Sequence, residues 1–365
     1  MSTLVLEKPR KDAYTHYMSQ KLIQGAKAAI TQCLNVTAQD RVVIVTDKKT
    51  QEVASALQAE VQKITPNVKT LIIEDYVQRP AKELSQKLVD DITIFKPTVS
   101  IYAAEGQPGE LSVFRRPLVD DVLYNGLGCR HAHMINITKQ LMEDGMNKDY
   151  DLVYKITNRV CALAQKADKL IATDPYGTNI TFNLDSANLK WIPSHGKILP
   201  GAHWQNLPSG ETFTCPKSAS GVFVAWILGD DLSEKYGELK TPLVVTIKDG
   251  YITNVSLPAD AHDSKTEDAK KDFEKYITEY PMGNRVGELG VGTLVGLTHF
   301  VGNLLQDEKF PGVHIAFGHP YSHETGANWD CESHIDIIAK SVTIKLVTGG
   351  VERVIMQGGK YVDGI

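Results

Sequence analysis

The chain has 365 residues, 42% apolar and 23% charged, with a net charge of −5. That length exceeds one ordinary hydrophobic core, so two domains are expected. The acidic balance and the lack of a Lys/Arg-rich block exclude nucleic acid as the main partner. The five cysteines (Cys33, Cys129, Cys161, Cys215, Cys331) are scattered without a Cys-x-x-Cys, which excludes a structural zinc finger and suits reduced thiols in a cytoplasm.

The opening MSTLVLEKPRKDAYTHY has no apolar core of signal-peptide length. Apolar periodicity then predicts a helix over 14–35, a strand at RVVIV (41–45) and a helix over 49–64. TLIIE (70–74) reads as a strand, 81–92 as a helix, TVSIYAA (98–104) as a strand, 110–125 as a helix and AHMINI (132–137) as a strand. Repeated βα units with apolar strands predict a doubly wound parallel sheet covered on both faces. No Gly-x-Gly-x-x-Gly or Walker loop follows these strands, so a nucleotide cofactor has no support. A long helix over about 150–166 closes this domain, with the boundary placed at 167/168.

Beyond it the texture is β-rich. KLIATDPYGTNITFNL reads as strand–turn–strand, VFVAWIL (222–228) as a strand, and PLVVTIKDGYITNVSL (242–257) as a hairpin around Asp-Gly. A charged helix is expected over 264–279, and glycine-punctuated strands close the chain. The prediction is an α/β protein: an N-terminal doubly wound parallel-sheet domain (1–167) and a C-terminal β-rich α+β metal-binding domain (168–365). The stretch LGVGTLVGLTHFVGNLL (289–305) is too short for a membrane span and carries four glycines, a His and an Asn. It reads as buried backbone beside a site, so no membrane partner is expected.

The chemistry concentrates in HIAFGHPYSHETGANWDCESHIDII (314–338), which holds His314, His319, His323 and His334. His323-Glu324 is not a zincin motif, because the position three after Glu324 is Ala327, and Pro320, Gly326 and Asn328 oppose a helix there. His334-Ile-Asp336 is the stronger signal. Residues two apart on a strand share a face, so His334 and Asp336 project together as an imidazole–carboxylate pair while Ile335 and Ile337 face the core. By itself such a pair is equally a surface strand with a hydrogen-bonded histidine. Asp330 and Glu332 extend the alternation, either supporting the pair or simply solvated. Glu211 and Glu288 lie among glycines and apolar residues, and Glu308 lies in LLQDEKFPG. Each is a turn carboxylate or, if buried, needs a metal or cation. His131 and His133 flank a predicted strand and carry no assigned function. His319 and His323 touch substrate or line a loop. Cys215 and Cys331 lie near these acids with no activating base in sequence.

Five blocks occur in order over about residues 170–340. They are Asp-Pro-Tyr-Gly-Thr (174–178), Asn206-Leu-Pro-Ser-Gly-Glu211-Thr-Phe-Thr-Cys-Pro216, and Gly287-Glu288-Leu-Gly290. Asp307-Glu308 then precedes His314-Ile-Ala-Phe-Gly-His-Pro-Tyr321, and His334-Ile-Asp336 follows. This set resembles the aminopeptidase T / aminopeptidase S family of two-metal exopeptidases. The resemblance implies metal ligands at Glu211, Glu288, Glu308, His314, His334 and Asp336, with Tyr321 at or beside the metals. It implies a cytoplasmic homodimer and two divalent ions, Zn²⁺ or Co²⁺ before Mn²⁺, acting on the N-terminal residue of a peptide substrate. Glu288 is assigned as ligand and proton acceptor, and Tyr321 as metal contact or oxyanion donor. Two departures from the pattern stand out: Glu308 lies six positions before His314, one more than the family spacing, and the chain is shorter than typical members. A second reading is a ring-cleaving dihydroxypyridine dioxygenase, a similar fold with one Fe(II) held by His314, His334 and Asp336. The surplus glutamates favour the hydrolase, because unpaired buried charge is costly. A third reading, a binding protein on the same fold, loses because no ligand position is missing.

Overall fold

The computed structural model describes residues 18–200, 204–229, 231–259 and 263–365. In the first half, α1 (Gln20–Lys27) continues into a π-helical turn, Ala28–Cys33. Then come β1 (Val42–Thr46), α2 (Gln51–Gln62), β2 (Val68–Ile72), α3 (Gln86–Phe95) and β3 (Val99–Ala104). Two π-helical stretches, Leu111–Arg115 and Pro117–Gly126, lead to β4 (Arg130–Ile135), α4 (Lys139–Glu143) and α5 (Tyr150–Ala164). The helix starts are built by side chains: Ser19 accepts from the Leu22 amide, and Asp149 from those of Asp151 and Leu152. Strands β1 to β4 pair in parallel in the order β2-β1-β3-β4. Every residue of β1 and β3 is buried, as expected when helices cover both faces. Residues 14–17 of the first predicted helix lie outside the described residues. The 81–92 helix begins later, at Gln86, and the 110–125 helix is π-wound.

The second half supplies β5 (Lys169–Thr173), β6 (Asn179–Asn183), β7 (Ile192–Ser194), β8 (Trp204–Asn206), β9 (Glu211–Thr214), β10 (Ser218–Ala225) and β11 (Ile227–Leu228). After α6 (Asp231–Tyr236) come β12 (Leu243–Lys248), β13 (Tyr251–Ser256), α7 (Ser264–Glu279), β14 (Val286–Gly292) and α8 (Leu304–Asp307). The chain ends through β15 (Gly312–Gly318), α9 (Ser322–Thr325), β16 (His334–Ile338), β17 (Thr343–Thr348), β18 (Val351–Gln357) and β19 (Lys360–Tyr361). One antiparallel sheet runs β13-β12-β10-β6-β5-β17-β18-β19, and a second runs β11-β16-β15-β14-β9-β7. The hairpin expected at Asp249-Gly250 is β12–β13, with both turn residues at positive φ. Strand β8 leaves this half and pairs in parallel with β4, completing the first sheet. Three residues carry no usable period, so the sequence gives no sign of it. The fold is a two-domain α/β architecture with one parallel and two antiparallel sheets.

The two antiparallel sheets sandwich the larger core. Leu289, Val291, Val313, Ile315, Phe317, Ile335 and Ile337 point into it from β14, β15 and β16. By strand alternation, Glu288, Gly290, His314, Ala316, His334 and Asp336 occupy the opposite face. The glycine-rich stretch 289–305 is buried only in part: 289–294 are buried, whereas Gly296, Thr298 and His299 are exposed. Leu294, Leu297 and Leu305 join the first half's core, and the Asn303 amide donates to the Asn136 carbonyl (3.1 Å). Among the described residues no helix is long and apolar enough to cross a membrane.

Candidate metal centre

Strand register assembles the site. On the face opposite the core, Glu288 and Asp336 both pair with Ala316, from the two sides of β15. Gly290 is paired with His314, Gly318 with His334, and Gly292 with Glu211 on β9. A small residue therefore stands beside each large polar one. At Gly290 this is obligatory, since a Cβ there would lie 1.9 Å from His314 Nε2.

Two groups of candidate ligand atoms result: Glu211, Glu288 and His314, all buried, in one, and Glu288, His334 and Asp336, with His334 half-buried, in the other. Glu288 belongs to both. His314 Nε2 lies 3.3 Å from Glu211 Oε2 and 3.4 Å from Glu288 Oε1. His334 Nε2 lies 3.5 Å from Glu288 Oε2 and 3.4 Å from Asp336 Oδ2. The other ring nitrogen of His334, Nδ1, is 3.1 Å from the His319 carbonyl, which orients the ring. Asp336 Oδ1 is buried without any hydrogen-bond partner, a costly state that a cation would relieve.

Electrostatics fit the same picture. Burial alone would lower both imidazoles, but the surrounding carboxylates outweigh it and raise His314 to about 9 and His334 to about 10. Burial raises the Glu288 carboxyl, and the neighbouring imidazoles pull it back. Against burial, His334 and His314 hold Asp336 below the usual range. Burial, reinforced by Glu288, Asp336, Glu308 and Glu211, raises the Tyr321 phenol well above 10, so it stays protonated. Tyr321 sits at φ 49°, its ring 5.1 Å from that of His334 and 5.3 Å from that of Phe213.

Glu308 belongs to neither group. Its carboxylate bonds the ammonium of Lys309, which also donates to Glu211 Oε1 at 2.7 Å. Lys309 is 0% exposed, and the two carboxylates hold it charged against burial. Burial raises Glu308 to about 8, with Lys309 opposing and Glu211 adding to the shift. Sequence reading missed Lys309, although the signal was present: the residue five before His314 is Lys309, where the resembled family spaces its carboxylate.

These residues line a cavity of about 830 Å³, with Glu211, Glu288, Glu308, Tyr321, His334 and Asp336 on one wall. Arg115, Ile135, Asn136 and Trp204 come from the first sheet and its connections. Other candidates fall away from this chemistry. His323 and Glu324 are exposed on the single turn α9, where no helix was expected, although Glu324 reaches the cavity wall. His319 pairs with Asp330 (3.3 Å), and Asp330 and Glu332 are solvent-exposed. Burial raises the Cys215 thiol to about 11, the opposite of activation. His131 and His133 are buried in β4, where His131 bonds Ser100 (2.8 Å) and His133 stacks on Tyr102.

No protein-family model and no curated protein matches the chain. Among solved structures, the chain is similar to 2,5-dihydroxypyridine dioxygenase from Pseudomonas putida KT2440. The TM-score is 0.63 at 15% identity, over 94% of this chain and 97% of that one. It is also similar to wild-type AmpT, an aminopeptidase from Thermus thermophilus, with a TM-score of 0.61 at 14% identity over 94% and 99%. At such identities the likeness establishes the fold alone, and that fold is shared with the aminopeptidase family.

Proposed function

We propose that the chain is a metal-dependent aminopeptidase, a hydrolase that removes N-terminal residues from peptides. The observation that carries this reading is the pair of ligand groups sharing Glu288. A shared carboxylate between two imidazole–carboxylate sets is what two divalent ions require, and the partnerless Asp336 Oδ1 points the same way. The ligands would be Glu211, Glu288, His314, His334 and Asp336, with Zn²⁺ or Co²⁺ suiting the N/O set. Bound there, the ions would supply a polarised carbonyl and a water of lowered pKa.

The chain's own groups do the rest. Glu288, shared by both groups, is a poor proton acceptor while it serves as a ligand. Glu308 lines the same cavity outside both groups and is better placed to take and return the proton. Tyr321, kept protonated, donates to the oxygen that gains charge. The carboxylate-rich wall attracts a free α-amino group, which favours attack next to the N-terminus.

The ring-cleaving dioxygenase reading would need His314, His334 and Asp336 to converge on one iron. The two imidazoles instead fall in different ligand groups that share Glu288. Metal analysis paired with aminoacyl fluorogenic substrates tests the proposal. Expected are two metal equivalents per chain, lost with activity in Glu288→Gln, and metal retained with activity lost in Glu308→Gln. One iron per chain with oxygen-dependent ring cleavage would overturn it.

A further inference from the structure

The cavity wall is acidic, with Glu211, Glu234, Glu288, Glu308, Glu324 and Asp336 all lining it. Against them stands one permanent cation among the described lining residues, Arg115. It closes the π-helical stretch Leu111–Arg115 that follows β3. It makes no hydrogen bond or ion pair with any described residue. The nearby acid Glu110 cannot serve it: that carboxylate is bound by Arg79 (2.5 and 3.1 Å) and by the Ala81 amide (2.6 Å). Asp120, on the next helical stretch, feels its charge without forming an ion pair with it. Arg115 is half-buried at the cavity wall, and that partial burial without a close counter-ion pulls its pKa down.

We propose that Arg115 is the subsite for the free C-terminal carboxylate of a short peptide whose amino end lies at the Glu288 groups. This rests on the aminopeptidase reading and narrows it. A guanidinium offers a planar fork that a carboxylate matches with two parallel hydrogen bonds. The metal groups lie on the wall built by the second half, and Arg115 on the wall built by the first, so one ligand bridges both. A cavity of about 830 Å³ holds a few residues, not a long chain. The N-terminal domain then acts as a ruler that selects di- and tripeptides by their far end.

The test compares tri-alanine with tri-alanine amide, in turnover and in calorimetric binding, on metal-loaded wild type, Arg115→Gln and Arg115→Lys. A charge-assisted pair favours the free acid about tenfold or more in wild type, expressed in KM. Arg115→Gln brings the acid-to-amide ratio close to one, and Arg115→Lys keeps part of it. An equal response to acid and amide in wild type, or an unchanged ratio in Arg115→Gln, overturns the subsite and leaves the hydrolase reading standing. If neither peptide is cleaved, the hydrolase reading falls. The ratio of dissociation constants then decides the subsite, and equal affinities overturn it.

Discussion

Replacing Lys309 by Met tests the charge balance of the centre most directly. Methionine keeps much of the side chain's volume and removes only the ammonium. In the metal-free protein this strands Glu211, which is buried, and Glu308, which is half-buried, both held by that ammonium. Removing one partner of a buried pair costs about 3–5 kcal/mol. At about 2.1 cal/mol/K per residue, that lowers the melting temperature by roughly 5 °C if the chain unfolds as one unit. It is about twice that if the second half unfolds alone. Glu308 already titrates near 8, and without Lys309 it rises further, so a proton replaces the lost cation at low pH. The deficit is therefore largest above pH 8 and shrinks as pH falls. Thermal denaturation of chelated wild type and variant at pH 6 and 9 reads both effects. Melting temperatures within 1 °C of each other at pH 9 would refute the assignment of Lys309 as counter-charge.

Gly290→Ala places a methyl 1.9 Å from His314 Nε2, so the imidazole swings away from Glu211 and Glu288. Expected are loss of one metal equivalent and about 1–3 kcal/mol of stability; full metal retention argues against His314 as a ligand. In the first domain, Arg79 bonds Asp47 (2.6 Å) and Glu110 (2.5 Å) with only 8% of its side chain exposed. Arg79→Met should cost about 3–5 kcal/mol by urea denaturation while leaving metal content unchanged. The metal-free protein should lose stability as pH rises. His314 and His334 titrate higher folded than unfolded, so their contribution is complete below about 6.5 and is lost through about 9 and 10. Glu308 acts in the same direction, its contribution being lost as pH rises through about 8. A melting temperature of chelated protein that stays flat from pH 7 to 10 would contradict this.

What was legible in the sequence followed from local periodicity. The two-residue spacing of His334 and Asp336 survives as a shared strand face, with Ile335 and Ile337 on the other. The βα alternation of the first half survives as a parallel sheet. What was not legible depends on which strands become neighbours. Gly290, Ala316 and Gly318 look like ordinary small residues until register sets them beside His314, Glu288 and His334. Lys309 follows Asp307-Glu308 and draws no reading from sequence, yet it turns inward between Glu211 and Glu308. Arg115 sits in a segment that reads as a plain amphipathic helix, and its cavity exists only once β8 joins β4.

Charge explains why these pieces belong together. Glu211, Glu288, Glu308 and Asp336 bring four carboxylates into one cluster, three of them buried and Glu308 half-buried, and Lys309 supplies one positive charge. With all four ionised, neutral imidazoles would leave a net −3, a large excess for so close a set of mostly buried carboxylates. Without metal, the cheapest remedy is to protonate His314 and His334, which is what their raised pKa values express. Two divalent ions remove the need for both protons, while one leaves the cluster negative. Protons and metals therefore compete for the same compensation, and metal uptake near pH 7.5 must expel protons from both imidazoles. Lys309, held between Glu211 and Glu308, takes no part in that exchange. Its ammonium is fixed whichever cation arrives, so it sets how much positive charge the centre can still accept.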